Sequence, residues 1–257
     1  MVLEIQNVSK NFGGIHALKN VSFSLKEGEI YGLIGPNGAG KTTMFNLITN
    51  IFEVSSGEII FNNDNITGLK PHKITDKGIC RTYQNIRLFS QMSALKNVMV
   101  GGHTRSSSGV FSSVFRTKAQ RNEEAQLYEK AEELLELVGL LELKDTLAEN
   151  LAYGQQRRLE IARALASNPK LLLLDEPAAG MNEKETDSLY DLIKLIQSKG
   201  ITVLIIEHDM PLVMKLCDRI TVLNFGEKLA EGTPIEIQNN EAVIEAYLGK
   251  EEEEEIA

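Results

Sequence analysis

The 257 residues are 42% apolar and 25% charged, enough for one or two compact domains with a sizeable core. The net charge of −9 excludes the basic stripe of a nucleic-acid binder, and five of those charges sit in the run Glu251 to Glu255. The longest apolar runs, Leu171 to Leu174 and Ile201 to Ile206, are too short to cross a bilayer, so a membrane role has to come through a partner.

Cys80 and Cys217 lie far apart and match no metal spacing. Both sit in apolar surroundings and read as buried thiols of a reducing compartment, the cytoplasm. Met1-Val2-Leu3-Glu4 does not open a basic segment followed by an apolar one, so no secretory signal is expected.

In chain order, Val2 to Val8 and Val21 to Leu25 alternate as strands do. Phe12 lies between them beside Gly13-Gly14; from spacing alone a lone loop aromatic is core or surface packing. Glu29 to Leu33 and Ile34 read as a short buried strand, and Thr42 to Asn50 as the start of a helix. Between them stands Gly35-Pro36-Asn37-Gly38-Ala39-Gly40-Lys41-Thr42-Thr43, which fits the phosphate-binding loop G-x-x-x-x-G-K-[ST]. Its glycines let backbone N–H groups turn inward around a phosphate chain, and the new helix aims its positive end at the same place. Lys41 adds a point charge on the outer phosphates and Thr42 offers a hydroxyl to Mg²⁺.

Gly57 to Phe61 is a further strand, ending in the turn Asn62-Asn63-Asp64-Asn65, and Ile79 to Tyr83 is another that delivers Gln84. The character then changes. Ala94 to Val100 is helical, and Ser106-Ser107-Ser108-Gly109 marks a loop or insertion. Arg121 to Val138 is an amphipathic helix, with Leu127, Ala131, Leu134 and Val138 on one face and glutamates elsewhere. From about Gln84 to Ala166 almost no strand pattern occurs. The expected organisation is an ATP-binding core over 1–83 and 167–250, an inserted helical subdomain over 84–166, and an acidic tail over 251–257.

The body resumes with Leu171 to Leu174, a helix over Lys184 to Gln197, a buried strand over Ile201 to Ile206, a helix over Met210 to Leu216 and a strand over Arg219 to Leu223. Strands alternating with helices predict an α/β fold built on a parallel sheet. Asp175-Glu176-Pro177 ends the first of these strands, at the edge where such sheets bind ligands. Asp175 can hold Mg²⁺ opposite Thr42, and Glu176 can orient and deprotonate a water for attack on a γ-phosphate. His208, just past the second strand, can reach the same γ-phosphate from the same edge. Gln84 can sense Mg²⁺ or water and report to the helical region.

Leu151-Ala152-Tyr153-Gly154-Gln155-Gln156-Arg157-Arg158 precedes a helix through Ile161, Ala162 and Leu165. With the phosphate loop, Gln84, Leu174-Asp175-Glu176-Pro177 and the strand-end His208, the whole chain resembles an ATP-binding cassette ATPase. It is most similar to the ATPase subunits of branched-chain amino acid importers. The resemblance implies a P-loop NTPase core of RecA type with an N-terminal antiparallel β subdomain, hydrolysing ATP with Mg²⁺. It implies that Phe12 stacks on adenine, and that Leu151, Ala152, Tyr153, Gly154 and Gln155 touch ATP held by an opposite cassette. It implies that Gln84 and the helical subdomain meet a permease at the cytoplasmic face of the membrane, working with a substrate-binding protein. Two residues depart from the general pattern. Ala152 stands where Ser is usual, and Asn182, in the loop expected at the dimer interface, stands where Asp is usual. The expected dimer is therefore one with a different cassette. A soluble cassette switch on ribosomes or DNA is the alternative; a single cassette, an acidic balance and the lack of a coiled-coil arm stand against it. A small-molecule kinase shares the loop but not the helical insertion.

Overall fold

Leu171–Asp175 and Thr202–Ile206 are buried along their whole length. That burial is what continuous apolar runs require, since both faces of such a strand must be covered. The computed structural model describes residues 1–102 and 118–248. The Ser/Gly stretch and the acidic run fall outside them.

In chain order, β1 (Leu3–Phe12) and β2 (Ile15–Leu25) form a long hairpin, and β3 (Ile30–Ile34) leads to α1 (Lys41–Ile48). Then come β4 (Ser56–Phe61), β5 (Asp64–Asn65), α2 (Pro71–Lys77) and β6 (Ile79–Arg81). Among the described residues, the α-helices α3 (Ala94–Gly102), α4 (Lys118–Leu137) and α5 (Tyr153–Leu165) follow. The sheet resumes with β7 (Leu171–Asp175), α6 (Glu183–Ser198), β8 (Thr202–Ile206), α7 (Met210–Leu216) and β9 (Arg219–Asn224). The last elements are β10 (Glu227–Gly232), α8 (Pro234–Gln238) and α9 (Glu241–Leu248). The sequence pattern did not anticipate β5, which takes two residues assigned to the turn, nor α2, β10, α8 or α9. All but α9 are at most six residues or so, too short for a periodicity to stand out.

The central sheet has the order β10-β9-β3-β8-β7-β6, with only β10 antiparallel. A second, antiparallel sheet has the order β2-β1-β4-β5. Alternate residues of each central strand enter different cores. Leu172, Leu174, Val203 and Ile205 pack with α5, α6 and α7, while Leu171, Leu173, Leu204 and Ile206 pack with α1 and the antiparallel sheet. This is the two-residue period of a strand, with each buried Leu or Ile contributing about 1.5–3 kcal/mol.

α4 buries Ala131 and Leu135, with Val138 buried just past its end; of the expected stripe Leu127 and Leu134 are only half-buried, and Leu135 takes the buried place expected of Leu134. Between 84 and 166 the described residues contain helices and turns with one isolated bridge, Ser93 to Leu147.

One strand is shorter than expected. β6 ends at Arg81, and Gln84 lies three residues beyond it rather than at its tip. The carbonyls of Tyr83 and Gln84 are taken by the buried Arg157 guanidinium, at 2.6 and 2.7 Å, so they do not enter a ladder.

Candidate functional site

Parallel pairing decides what meets at the carboxyl edge of the central sheet. β3 pairs with β8 and β9, and β7 pairs with β8 with Asp175 opposite Ile206. The loop after Ile34, the carboxylates after Leu174 and the His after Ile206 therefore emerge together. They border a cleft of about 760 Å³ lined by the phosphate loop from Asn37 to Thr43 and by Gln84, Glu176 and His208.

The loop conformation requires its glycines. Gly40 sits at φ 103, where a Cβ would lie 2.9 Å from the Ala17 carbonyl oxygen and closer still to Leu18. Gly35 sits at φ 147, where a Cβ would lie 2.0 Å from the Leu223 carbonyl oxygen. Both approaches exclude any side chain. Pro36 follows as the first residue of the turn, whose carbonyl accepts from Ala39 N–H. The buried Lys41 Nζ donates to the carbonyls of Gly35 and Pro36, at 2.6 and 3.0 Å. The lysine is thus held across the mouth of the loop it belongs to.

Glu176 is the centre of the edge. Its Oε2 accepts from Gln84 Nε2 at 2.8 Å, and its Oε1 lies 2.9 Å from His208 Nε2. The three residues expected to be catalytic are thus brought together, from 84, 176 and 208. Glu176 has φ 48, a left-handed conformation that disfavours a residue with a Cβ by about 1–2 kcal/mol. Strain of this kind persists where surrounding contacts enforce it; here the Glu176 N–H donates to Ile206 O at 2.9 Å.

The site fits a phosphate chain with a divalent cation. Thr42 faces the cleft from the start of α1. Asp175 is 2% exposed; its Oδ2 pairs with Arg81 Nη2 at 2.6 Å, and its Oδ1 is buried without a hydrogen-bond partner. A bare carboxylate oxygen at this depth suits a hard cation.

Phe12 lies at the end of β1, 41% exposed, edge-on to Phe52 with ring centroids 5.1 Å apart, and Lys10 Nζ stands 4.9 Å from its ring. It does not line the cleft; Ile15, His16 and Phe225 do. Of the expected trans segment, Leu151 and Gly154 are buried, Ala152 and Tyr153 are exposed, and none lines this chain's own cleft. The Ala152 N–H donates to Gln155 Oε1 at 3.0 Å, but the alanine returns no side-chain oxygen. Asn182 caps α6, accepting from Glu185 N–H and donating its own N–H to Glu185 Oε2.

Four neighbours of the site were given no role by the sequence reading. Arg81 holds Asp175, and Arg157 with Glu160 clamps the Gln84 loop: Glu160 Oε1 accepts from Arg87 N–H at 3.2 Å. Glu207 accepts from Ala178 N–H at 2.7 Å and from His208 N–H, joining the loops after β7 and β8. Burial pushes the carboxyls of Glu160 and Glu207 above their usual range, against the lowering effect of those N–H donors. A charged residue inside the strand-like run Ile79 to Tyr83 was the available signal for Arg81; Glu207 directly follows the apolar run Ile201 to Ile206, beside His208.

Comparison with known proteins adds the family. A family model described as ABC transporter matches residues 18–179, and one described as branched-chain amino acid ATP-binding cassette transporter matches 227–253. The chain is 46% identical to the high-affinity branched-chain amino acid transport ATP-binding protein BraF of Pseudomonas aeruginosa, over 97% of this chain and 98% of that one. It is 47% identical to LivG of Salmonella typhimurium over the same shares. A nucleotide-free ATP-binding cassette from an ABC transporter superposes with a TM-score of 0.84 at 34% identity, covering 96% of this chain and 98% of that one. The dimeric ADP- and Pi-bound cassette MJ0796 gives 0.77 at 28% identity, covering 90% and 98%. The chain belongs to the ABC transporter family, as an ATP-hydrolysing, ATP-binding subunit related to LivG and BraF.

Proposed function

We propose that this chain is the motor subunit of an importer for branched-chain amino acids, working beside a second cassette on the cytoplasmic face of a membrane. The relatives named for that transport span nearly the whole chain, and the branched-chain family model matches 227–253. The observation that carries the mechanism is the clasp on Glu176 between Gln84 and His208.

MgATP, when bound, supplies the γ-phosphoryl group that passes to water. The loop from Gly35 to Thr43 cradles the phosphates through its N–H groups, and Lys41 swings from the Gly35 and Pro36 carbonyls onto the outer ones. Thr42, Asp175 and Gln84 would hold the cation, which would neutralise charge on the phosphate oxygens. Glu176 takes the proton of the attacking water, and His208 donates toward the γ-phosphate oxygens. Phe12 stacks on the base from the end of β1. Positioning and electrostatics supply most of the rate, because phosphoryl transfer needs little covalent help.

Residues 151–155 lie away from the chain's own cleft, which fits a site completed by the partner cassette. Asn182 stands at the same interface. The helical subdomain over 84–166 receives the permease. An apolar cleft of about 340 Å³ between it and the core, lined by Ile51, Ile74, Tyr83, Phe89 and Val100, suits a short cytoplasmic helix. Tyr83 and Arg81 border that cleft, directly upstream of Gln84, so occupancy there has a short route to Glu176. Among the described residues no helix is long and apolar enough to cross a membrane; in this reading the permease is what holds the chain at the membrane.

The test is reconstitution with the neighbouring cassette, two permease subunits and a binding protein in proteoliposomes. ATP-driven uptake of leucine, isoleucine and valine is expected. A complex that hydrolyses ATP yet accumulates none of the three overturns the solute assignment.

A further inference from the structure

Arg81 reaches the cation-side carboxylate from the neighbouring strand. β6 runs parallel to β7 with Arg81 opposite Leu173, two residues before Asp175. Nη2 donates to Asp175 Oδ2 at 2.6 Å, and Nη1 donates to Asn46 Oδ1 at 2.7 Å. Asn46 lies on α1, the helix that carries Thr42. The guanidinium carbon stands 5.3 Å from the Phe45 ring centroid and 5.2 Å from that of Tyr83. The ion pair is buried, with Arg81 6% and Asp175 2% exposed. One plane of donors therefore fixes the end of β7 against α1, a geometry that a rigid fork gives and a point charge does not.

Asp175 has two oxygens with different fates. Oδ2 is taken by Arg81, and Oδ1 is buried without a partner. A buried, unpartnered carboxylate oxygen is costly unless a ligand completes it. We propose that Arg81 is a positioning residue for cation binding: its fork to Asn46 and Asp175 sets the carboxylate so that Oδ1 alone faces the divalent cation shared with Thr42. The proposal rests on the reading that Asp175 holds that cation.

Two roles for Arg81 differ in sign. As a mere positive charge it opposes a second cation, and its removal tightens cation binding. As a positioning residue it keeps the ligand oriented, and its removal weakens cation binding, as loss of an outer-shell partner does by about 10- to 100-fold. A purely structural role moves stability and leaves the cation response alone.

The experiment uses the full chain with Glu176→Gln to prevent turnover. ATP affinity is measured by calorimetry with Mn²⁺ and again with EDTA, and the ratio of the two is the readout. Arg81→Met is expected to cut the Mn²⁺ enhancement by at least about tenfold, with affinity in EDTA unchanged. Asn46→Ala, which keeps the buried ion pair and frees only its far anchor, is expected to give a smaller loss in the same direction, and it decides the matter alone if Arg81→Met does not fold. An unchanged or increased enhancement in the folded variants overturns the proposal. Asp175→Asn separates the two levels: an intact Mn²⁺ enhancement there removes Asp175 from the cation site, and the proposal falls with its premise.

Discussion

His208 Nε2 lies 2.9 Å from Glu176 Oε1, although the two residues are 32 positions apart and stand on different loops. The parallel register of β7 and β8, with Asp175 opposite Ile206, is what brings them together. Gln84 occupies the other carboxylate oxygen, at 2.8 Å. The proposed base is thus held from both sides, and it is 15% exposed.

Glu176→Gln keeps the shape of this clasp and removes the basic oxygen. Hydrolysis is expected to fall by roughly 10²–10⁴-fold while ATP still binds. Single-turnover phosphate release and equilibrium ATP binding measure the two separately. Near-normal turnover in the variant would move the role to His208.

Phe12→Ala is expected to weaken ATP and ADP about equally, by roughly 1–3 kcal/mol, with saturated turnover nearly unchanged. Inorganic tripolyphosphate, which has no base to stack, should bind both proteins alike. Phe52→Ala removes the edge partner of the Phe12 ring and should give a smaller loss. Unaltered nucleotide affinity in Phe12→Ala assigns the ring to packing with Phe52 alone.

In the proposed dimer Ala152 would offer the opposite cassette no hydroxyl, and its own N–H is committed to Gln155. A hydrogen bond to a charged group contributes about 1.5–3 kcal/mol, so its absence weakens closure by roughly ten- to a hundredfold per site. A homodimer loses this twice and a heterodimer with a Ser-bearing partner once. The two sites of such a pair are unequal, and losing Lys41 should cost more activity than losing the partner's equivalent lysine. Sedimentation of Glu176→Gln with ATP, with and without Ala152→Ser, is the direct measurement. Equal dimerisation of the two proteins would sink the asymmetry.

Cys217 is 6% exposed, and burial pushes its thiol from the ordinary 9.0 up to about 12. The folded state therefore keeps its proton after the unfolded chain has lost it. Below pH 9 this group leaves stability untouched; as pH rises from there toward 12 it lowers stability. Cys217→Ala should flatten that part of an alkaline Tm profile. Native protein at pH 8 should leave Cys217 unlabelled by iodoacetamide until it unfolds. Rapid native labelling contradicts the burial.

The sequence by itself determined the family, the phosphate loop and the acidic strand end. Each is a local pattern whose chemistry depends on adjacent residues: glycines, Lys41 and Thr42 in one run, Leu171 to Glu176 in another. It also determined most strands and helices, because β7, β8 and α4 carry the periods their burial demands. Only the tertiary structure decided which side chains touch. The Arg81 fork joins residues 46, 81 and 175, and Arg157 takes the carbonyls of a loop 74 and 73 residues away. Those partners share no segment and no period. Arg81 and Asp175 meet because parallel strands bring their carboxyl ends to one edge, and pairing register, a long-range property, sets which ends are level there; Asn46 and Arg157 reach that edge from the helices α1 and α5.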